Sequence, residues 1–290
     1  MTRMNARWAI CLLFAVYTLG TGLFPGIVPG GIDGVSLTIF VVVFALVHGA
    51  ARYGWGGILV FVAICLVVSN ALENLSILTG IPFGRYYYSD VLGLKLFHVP
   101  VIIGGAYAGA GYLSWIVAHV LVDRTGQSDR FAIWALPLVG ALLMVSWDMS
   151  FDPSASTIAK SWVWLDGGPF FGVPLRNFFG WYLTVLLFLL PFAWYQSRRP
   201  VHASESRAFW AQAIVMYALL GLRYPLVYLR WTGSTQVTDP AGHVWNTADI
   251  RAAAALVAIF TMIAFALIAG LRLYGRNRNG SASINAGNQP

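Results

Sequence analysis

Charge is scarce in this chain. Only 10% of its 290 residues are Asp, Glu, Lys or Arg, against about 25% in an ordinary soluble domain. With 58% hydrophobic residues and a mean hydropathy of +0.70, it reads as an all-α, polytopic integral membrane bundle. Cysteine is nearly absent. Cys11 and Cys65 are the two present, and both fall in apolar runs, where they read as small packing residues rather than a disulfide. His48, His98 and His119 lack metal-ligand spacing. No G-x-G-x-x-G after a strand, Walker A sequence, H-E-x-x-H or Cys/His cluster occurs, so nucleotide, flavin, nicotinamide and zinc chemistry lose support. The expected cofactor complement is none.

Eight apolar stretches are long enough to cross a hydrocarbon core, which takes about 17–25 helical residues. They are Trp8–Phe24, Val35–Ala51, Gly57–Leu78, Val99–Val122, Phe131–Ser150, Phe178–Tyr195, Phe209–Tyr228 and Ala252–Leu271. Arg3 and Arg7 before the first run imitate a signal peptide, but no A-x-A-like site follows, so the run is read as the first helix. With the N-terminus inside, Arg3, Arg7, Arg52, Arg124, Arg130, Arg198, Arg199, Arg207, Arg272, Arg276 and Arg278 fall on the cytoplasmic side. Arg85, Lys95, Lys160, Arg176, Arg230 and Arg251 fall opposite, and Arg223 lies inside a span. The imbalance predicts a multi-pass cell-membrane protein with both termini cytoplasmic. It also accounts for the +7 net charge without a nucleic-acid partner. Residues 1–275 are expected to form one transmembrane domain, and the polar Gly/Ser/Asn-rich stretch 276–290 a disordered tail.

Polar chemistry collects in two connections on the outer side of this topology. The first, Asn70 to Asp90, carries Glu73 and Asn74 on one helical face, then Gly80, Pro82, Arg85, Tyr86, Tyr87 and Tyr88. The second runs from Asp148 through Asp152, Trp162, Trp164 and Asp166 to Arg176, Asn177 and Trp181. Each has a Pro-Phe element, a Gly, then an Arg near aromatics, a parallel that suggests two similar re-entrant turns lining one cavity. Asp148 and Asp152 stand at i, i+4, on one face of a helix. A charge at a transmembrane helix centre costs roughly 2.5–3.5 kcal/mol on insertion scales, so such residues usually face a cavity, pair with each other or handle protons.

Each has a plainer reading. Tyr and Trp at helix ends are also what an interfacial belt produces, Glu73 could ion-pair with Arg85 or Arg176, and Asp148 or Asp152 could cap a neighbour. Arg223 is expected to answer one of the acids. Asp33 and Asp239, in outer loops, are expected to be dispensable.

The segment Thr79-Gly80-Ile81-Pro82-Phe83-Gly84-Arg85-Tyr86-Tyr87-Tyr88, with Leu92 to Pro100 after it, resembles the signature of the membrane carotenoid 1′,2′-hydratases, the γ-carotene, lycopene and bisanhydrobacterioruberin hydratase group. Trp147 to Pro153, then Trp162-Val163-Trp164, then Gly172 to Tyr182, is similar to the second half of that signature. The similarity spans roughly residues 60–195, with departures at Ser154-Ala155 and at Tyr107, where the family resemblance leads one to expect Trp. The resemblance implies addition of water across the terminal double bond of an acyclic carotenoid end group, giving a tertiary alcohol. Its implied partners are a carotenoid, water and the bilayer, with other enzymes of the pathway as further associates.

No catalytic assignment comes with the resemblance, so roles follow from chemistry. Protonation needs an acid, a cation needs aromatic faces, and capture needs a held water. Asp148 or Asp152 is the candidate donor, and Trp147, Tyr86, Tyr87, Trp162 and Trp164 are candidate cation stabilisers. Glu73 with Asn74 would hold the water, Arg85 or Arg176 would tune the acids, and Asn177 completes the substrate-binding set. Two other classes fit less well. A prenyltransferase should show two Asp-rich motifs for Mg²⁺, and only one D-x-x-x-D occurs. A proton-coupled transporter or lipid-binding membrane protein would use the acids as a relay, but no pair of broken helices in inverted correspondence is visible.

Overall fold

A computed structural model describes residues 3–24, 26–28, 30–122, 130–199, 205–231 and 233–275. The stretch 276–290 and residues Arg124, Arg276 and Arg278 lie outside the described residues. The elements in order are α1 (Arg3–Leu23), α2 (Gly30–Thr79), β1 (Tyr86–Tyr88), β2 (Lys95–Leu96), β3 (Val99–Pro100), α3 (Val101–Leu121) and α4 (Arg130–Asp152). After a π-helical turn, Pro153–Ile158, come β4 (Trp162–Trp164), α5 (Leu175–Ser197), α6 (Arg207–Arg230), β5 (Gln236–Thr238), β6 (Val244–Asn246), α7 (Thr247–Ala258) and α8 (Ala264–Gly275). Another π turn, Ile259–Ile263, joins α7 to α8 into one rod.

Among the described residues seven helical units are long and apolar enough to cross a membrane, and one of them, Asp33–Thr79, has 47 residues. Straight, it would measure about 70 Å at 1.5 Å per residue, over twice the hydrocarbon thickness of about 30 Å. It is not straight. Gly54 takes φ 69° and ψ 167°, a conformation essentially confined to glycine, and the chain reverses there. Thr38 and Val41 of the first limb pack near Gly105 and Gly109 of α3, whereas Phe61 and then Leu66 of the second approach Tyr112 and then Gly104. One limb therefore runs with α3 and the other against it, so α2 supplies two crossings and the bundle eight.

Helix α3 is the axis of this bundle. Every residue from Ala106 to Val120 is buried, which requires partners on all sides. Glycines make the close approach feasible: a Cβ on Gly109 would stand 2.6 Å from Val41 Cγ2, and one on Gly111 2.9 Å from Phe188 Cζ. Small residues at helix contacts serve this purpose where lipid removes the hydrophobic drive between helices. The main core includes Phe44, Tyr112, Trp115, Phe188, Phe192 and Tyr217. A second cluster, with Phe83, Tyr86, Tyr88, Trp162, Trp164 and Val173, sits at the end where α2 stops and α3 begins.

That second cluster exists because the two polar connections meet. They do so as paired strands rather than as re-entrant turns: β1 and β4 are antiparallel, with Tyr86 opposite Trp164, Tyr87 opposite Val163 and Tyr88 opposite Trp162. Ser76 fixes the first connection to its helix, accepting from Phe83 N and donating to Gly84 O, both at 3.0 Å.

Two outer acids are better anchored than their loop positions imply. Asp33 opens α2 and accepts from Tyr17 and from Arg223, which also donates to Thr21 Oγ1 at 2.6 Å. Arg223 does answer an acid, then, but it is Asp33 and not one of the clustered carboxylates. Asp239 is 5% exposed and accepts from Trp245 Nε1 at 3.0 Å and His243 N at 3.0 Å, fastening the β5–β6 hairpin. Both are structural, because each satisfies several donors away from solvent.

The reversal at Gly54 places that turn and the β1–β4 connection on opposite faces of the membrane. Single cysteines at the exposed positions Trp55 and Val91 should therefore react with an impermeant thiol reagent from opposite sides of sealed vesicles. Labelling of both from one side would remove one crossing.

Candidate functional site

Strand alternation decides which side chains of the paired loops face inward. Tyr86 and Tyr88 point into the bundle and Tyr87, half exposed, points out; on β4, Trp162 and Trp164 point in. The β1–β4 strand pair is a lid whose inner face is four aromatic rings. Tyr86 packs on Trp164 at 4.7 Å between centroids and Tyr88 on Trp162 at 5.9 Å.

Beneath the lid are two carboxylates, one from each side of the bundle. Glu73, two turns before the end of α2 and 2% exposed, accepts from three phenols: Tyr86, Tyr88 at 2.9 Å and Tyr107 at 2.7 Å. Burial and the adjacent Glu73 charge hold the Tyr86 and Tyr88 hydroxyls well above the ordinary phenol range, so both stay protonated and donate. Asp152, closing α4 and 1% exposed, accepts at Oδ1 from Trp162 Nε1 at 2.8 Å and Trp164 Nε1 at 3.2 Å. At Oδ2 it accepts from Asn177 Nδ2 at 2.7 Å, and the same amide donates to Asp148 Oδ2 at 3.0 Å. One asparagine thus bridges the i, i+4 acids. Asp148 is fully buried, and its Oδ1 has no hydrogen-bond partner among the described residues.

Between the carboxylates is a small cavity of about 20 Å³ lined by Glu73, Asp152 and Asn177 among the rings of Phe83, Tyr86, Tyr88, Trp147, Phe151, Trp162, Trp164 and Trp181, with Ile103 and Ala106 from α3. Tyr107 stacks on Trp181 at 4.2 Å with planes 11° apart, and Trp147 on Phe151 at 5.1 Å and 8°. Two buried acids in an aromatic box suit proton transfer to an apolar substrate that passes through a cation. Among the described residues no group of three or more His, Cys, Asp or Glu is placed to hold a metal ion.

Several residues singled out from sequence stand elsewhere. Tyr87 faces outward. Asn74 donates to Asn70 and accepts from His98 N at 3.0 Å, so it braces the β2–β3 loop and leaves Glu73 without an amide neighbour in the cavity. Arg85 pairs with Asp166 on the exposed outer side of the lid, where it also holds that carboxyl below its usual range. Arg176 donates to Gly80 O at 3.1 Å. Neither arginine reaches Glu73 or the aspartates, since each is needed to lock a loop. Sequence reading left out Tyr88 and Tyr107 as partners of Glu73, and Trp181. Period-two alternation would have selected Tyr86 with Tyr88; nothing local marks Tyr107, whose role depends on how α3 docks.

Removing one phenol leaves Glu73 short of a donor in a dry site. Tyr107→Phe or Tyr88→Phe should cost about 1.5–3 kcal/mol, the range for hydrogen bonds to charged groups, whereas Tyr87→Phe should stay within about 0.5 kcal/mol. Thermal or denaturant unfolding in detergent measures the difference, and equal loss at Tyr87 and Tyr88 would contradict the inward and outward assignment.

A family model described as carotenoid biosynthesis protein matches residues 33–235. No curated protein and no solved structure gives a significant match. The matched region includes the whole lid, both carboxylates and Asn177, and the chain belongs to that family.

Proposed function

We propose, from membership of the carotenoid biosynthesis family, that this protein is a carotenoid 1′,2′-hydratase. The observation that carries the reading is the opposition of Asp152 and Glu73 across one aromatic cavity. The cavity of about 20 Å³ has room for about one water between the two acids.

Hydration is redox-neutral. Asp152, the member of the bridged pair that lines the cavity, gives its proton to the less substituted carbon of the terminal double bond. The π electrons form the new C–H bond and leave a tertiary cation. Trp162, Trp164, Tyr86, Trp147 and Phe151 offer their ring faces to that charge. A water bonded to the phenol oxygens around Glu73 adds through its lone pair to form the C–O bond, and Glu73 takes the proton released. Return of that proton to Asp152 closes the cycle. The donors around Asp152 favour this direction: two indole N–H groups and the Asn177 amide stabilise the carboxylate that forms as the proton leaves, which is stabilisation of charge developing in the transition state. Asp148 and Asp152 share one proton, because two carboxylates this close resist double ionisation.

Expression in a lycopene-accumulating host should yield a product heavier by one water, carrying a tertiary alcohol. Asp152→Asn keeps the shape and should lower the rate about 10²–10⁴-fold. Asp148→Asn should lose less and Glu73→Gln should also impair turnover, with membrane abundance measured for each. Near-wild-type hydration by folded Asp148→Asn and Asp152→Asn variants alike would return the pair to a structural role.

Purified protein should keep its activity after exhaustive chelation, since every proton in the scheme moves between carboxyl groups, substrate and water. Loss on chelation with rescue by Mg²⁺ and dependence on a prenyl diphosphate would instead indicate prenyl transfer to the same carotenoid end.

A further inference from the structure

At the end of the bundle remote from the lid, two buried polar side chains have no use in this scheme. Arg7, near the start of α1, is 8% exposed, and its guanidinium carbon lies 5.5 Å from the centroid of the Phe209 ring. Its Nε and Nη1 meet no hydrogen-bond partner among the described residues, and neither do Nε2 and Oε1 of Gln212 on α6, which is fully buried.

Helix contacts bring the two together. α1 and α6 run parallel: Arg7 sits over Phe209, Cys11 Sγ approaches Gln212 O at 3.8 Å, and Thr21 meets Arg223 further along. Gln212 follows Phe209 by three residues and so shares its face. Helical Cα–Cβ bonds tilt toward the N-terminus, which leans the Gln212 amide back to the level of Arg7.

A guanidinium stays charged at any accessible pH, and a buried charge is costly unless an opposite charge or donor set compensates it. Its N–H fork matches the oxygens of a phosphate. The amide beside it contributes further N–H donors and one acceptor, which suits a hydroxyl near that phosphate. The surroundings sit at headgroup level: Arg52 lies 4.7 Å over Trp210, Arg198 3.7 Å over the half-exposed Trp194, and Arg272 bonds the last carbonyl of α3. Basic pockets between transmembrane helices at this depth bind anionic lipid headgroups.

We infer that Arg7 and Gln212 form, between α1 and α6, a binding site for the phosphate of an anionic phospholipid with a hydroxylated headgroup. The lipid is a structural ligand joining the first helix to the sixth, independent of the chemistry under the lid.

The test is thermal unfolding of the full-length protein in neutral detergent, titrated separately with phosphatidylglycerol, phosphatidylcholine and inorganic phosphate. Phosphatidylglycerol should raise the wild-type midpoint by about 5 °C, as a ligand that binds only the folded state does, and the other two should not. Arg7→Gln should abolish that rise and Gln212→Leu at least halve it, while Arg7→Lys keeps part of it. Native mass spectrometry of wild type should retain one phosphatidylglycerol, and this readout stands even if Arg7→Gln fails to fold. An equal rise with phosphatidylcholine, an unchanged rise in both folded variants, or no retained lipid overturns the site; a rise with inorganic phosphate alone overturns the lipid as its occupant.

Discussion

Glu73 and Asp152, two of the three carboxylates buried beneath the lid, set the terms for everything around them. An ionised group in so dry a place is stable only when hydrogen-bond donors surround it, and α2 and α4 cannot supply these from their own turns. The β1–β4 lid does. Tyr86 and Tyr88 from one strand grip Glu73, and Trp162 and Trp164 from the other grip Asp152. Aromatic residues with a single polar handle are well matched to the task, because each covers apolar surface and donates one bond at its tip. The lid is therefore part of the electrostatics of the site as well as its cover.

This requirement explains features that are otherwise separate. Ser76 ties the first loop to the end of α2, and the Arg85–Asp166 pair clasps the outside of the β1–β4 strand pair. Asp239 secures the β5–β6 hairpin next to Gly167 and Gly172 of the second loop. None of these residues touches the cavity. Each holds a loop in the register that brings four rings and four donors inward, since a strand shifted by one residue would present Tyr87 and Val163 instead.

The network is also fit for proton movement. Asn177 spends both amide hydrogens on the two aspartates, so their spacing is fixed by a side chain from a third element. Phenols and indoles donate without titrating near neutrality, which leaves the carboxyl groups as the sites where a proton can be held or released. Stacked rings beneath, Tyr107 on Trp181 and Trp147 on Phe151, close the cavity against the bundle core.

Composition and hydropathy alone determined that this is a membrane helix bundle, where its crossings fall, and which two connections gather the polar and aromatic residues. Bilayer thickness imposes length and apolarity on every span, and an acid in such a span stands out against a nearly uncharged background. Glu73, Asp148, Asp152, Trp162, Trp164 and Asn177 were legible for that reason. What the sequence could not decide was partnership. Tyr88 and Tyr87 are adjacent identical residues, separated only by strand pairing; Tyr107 meets Glu73 and Trp181 only once α3 and α5 dock; Asn74, Arg85 and Arg176 resemble site residues until the loops they brace are placed. Hydrogen-bond partners are chosen by distance in three dimensions, and of the bonds that build this site, those from Tyr86 and Tyr88 to Glu73 and those from Trp162 and Trp164 to Asp152 stay within one connection. Those from Asn177 to the aspartates lie in the second connection as well but cross from α5 to α4, the one from Tyr107 to Glu73 crosses from α3 to α2, and only the tertiary structure could assign them.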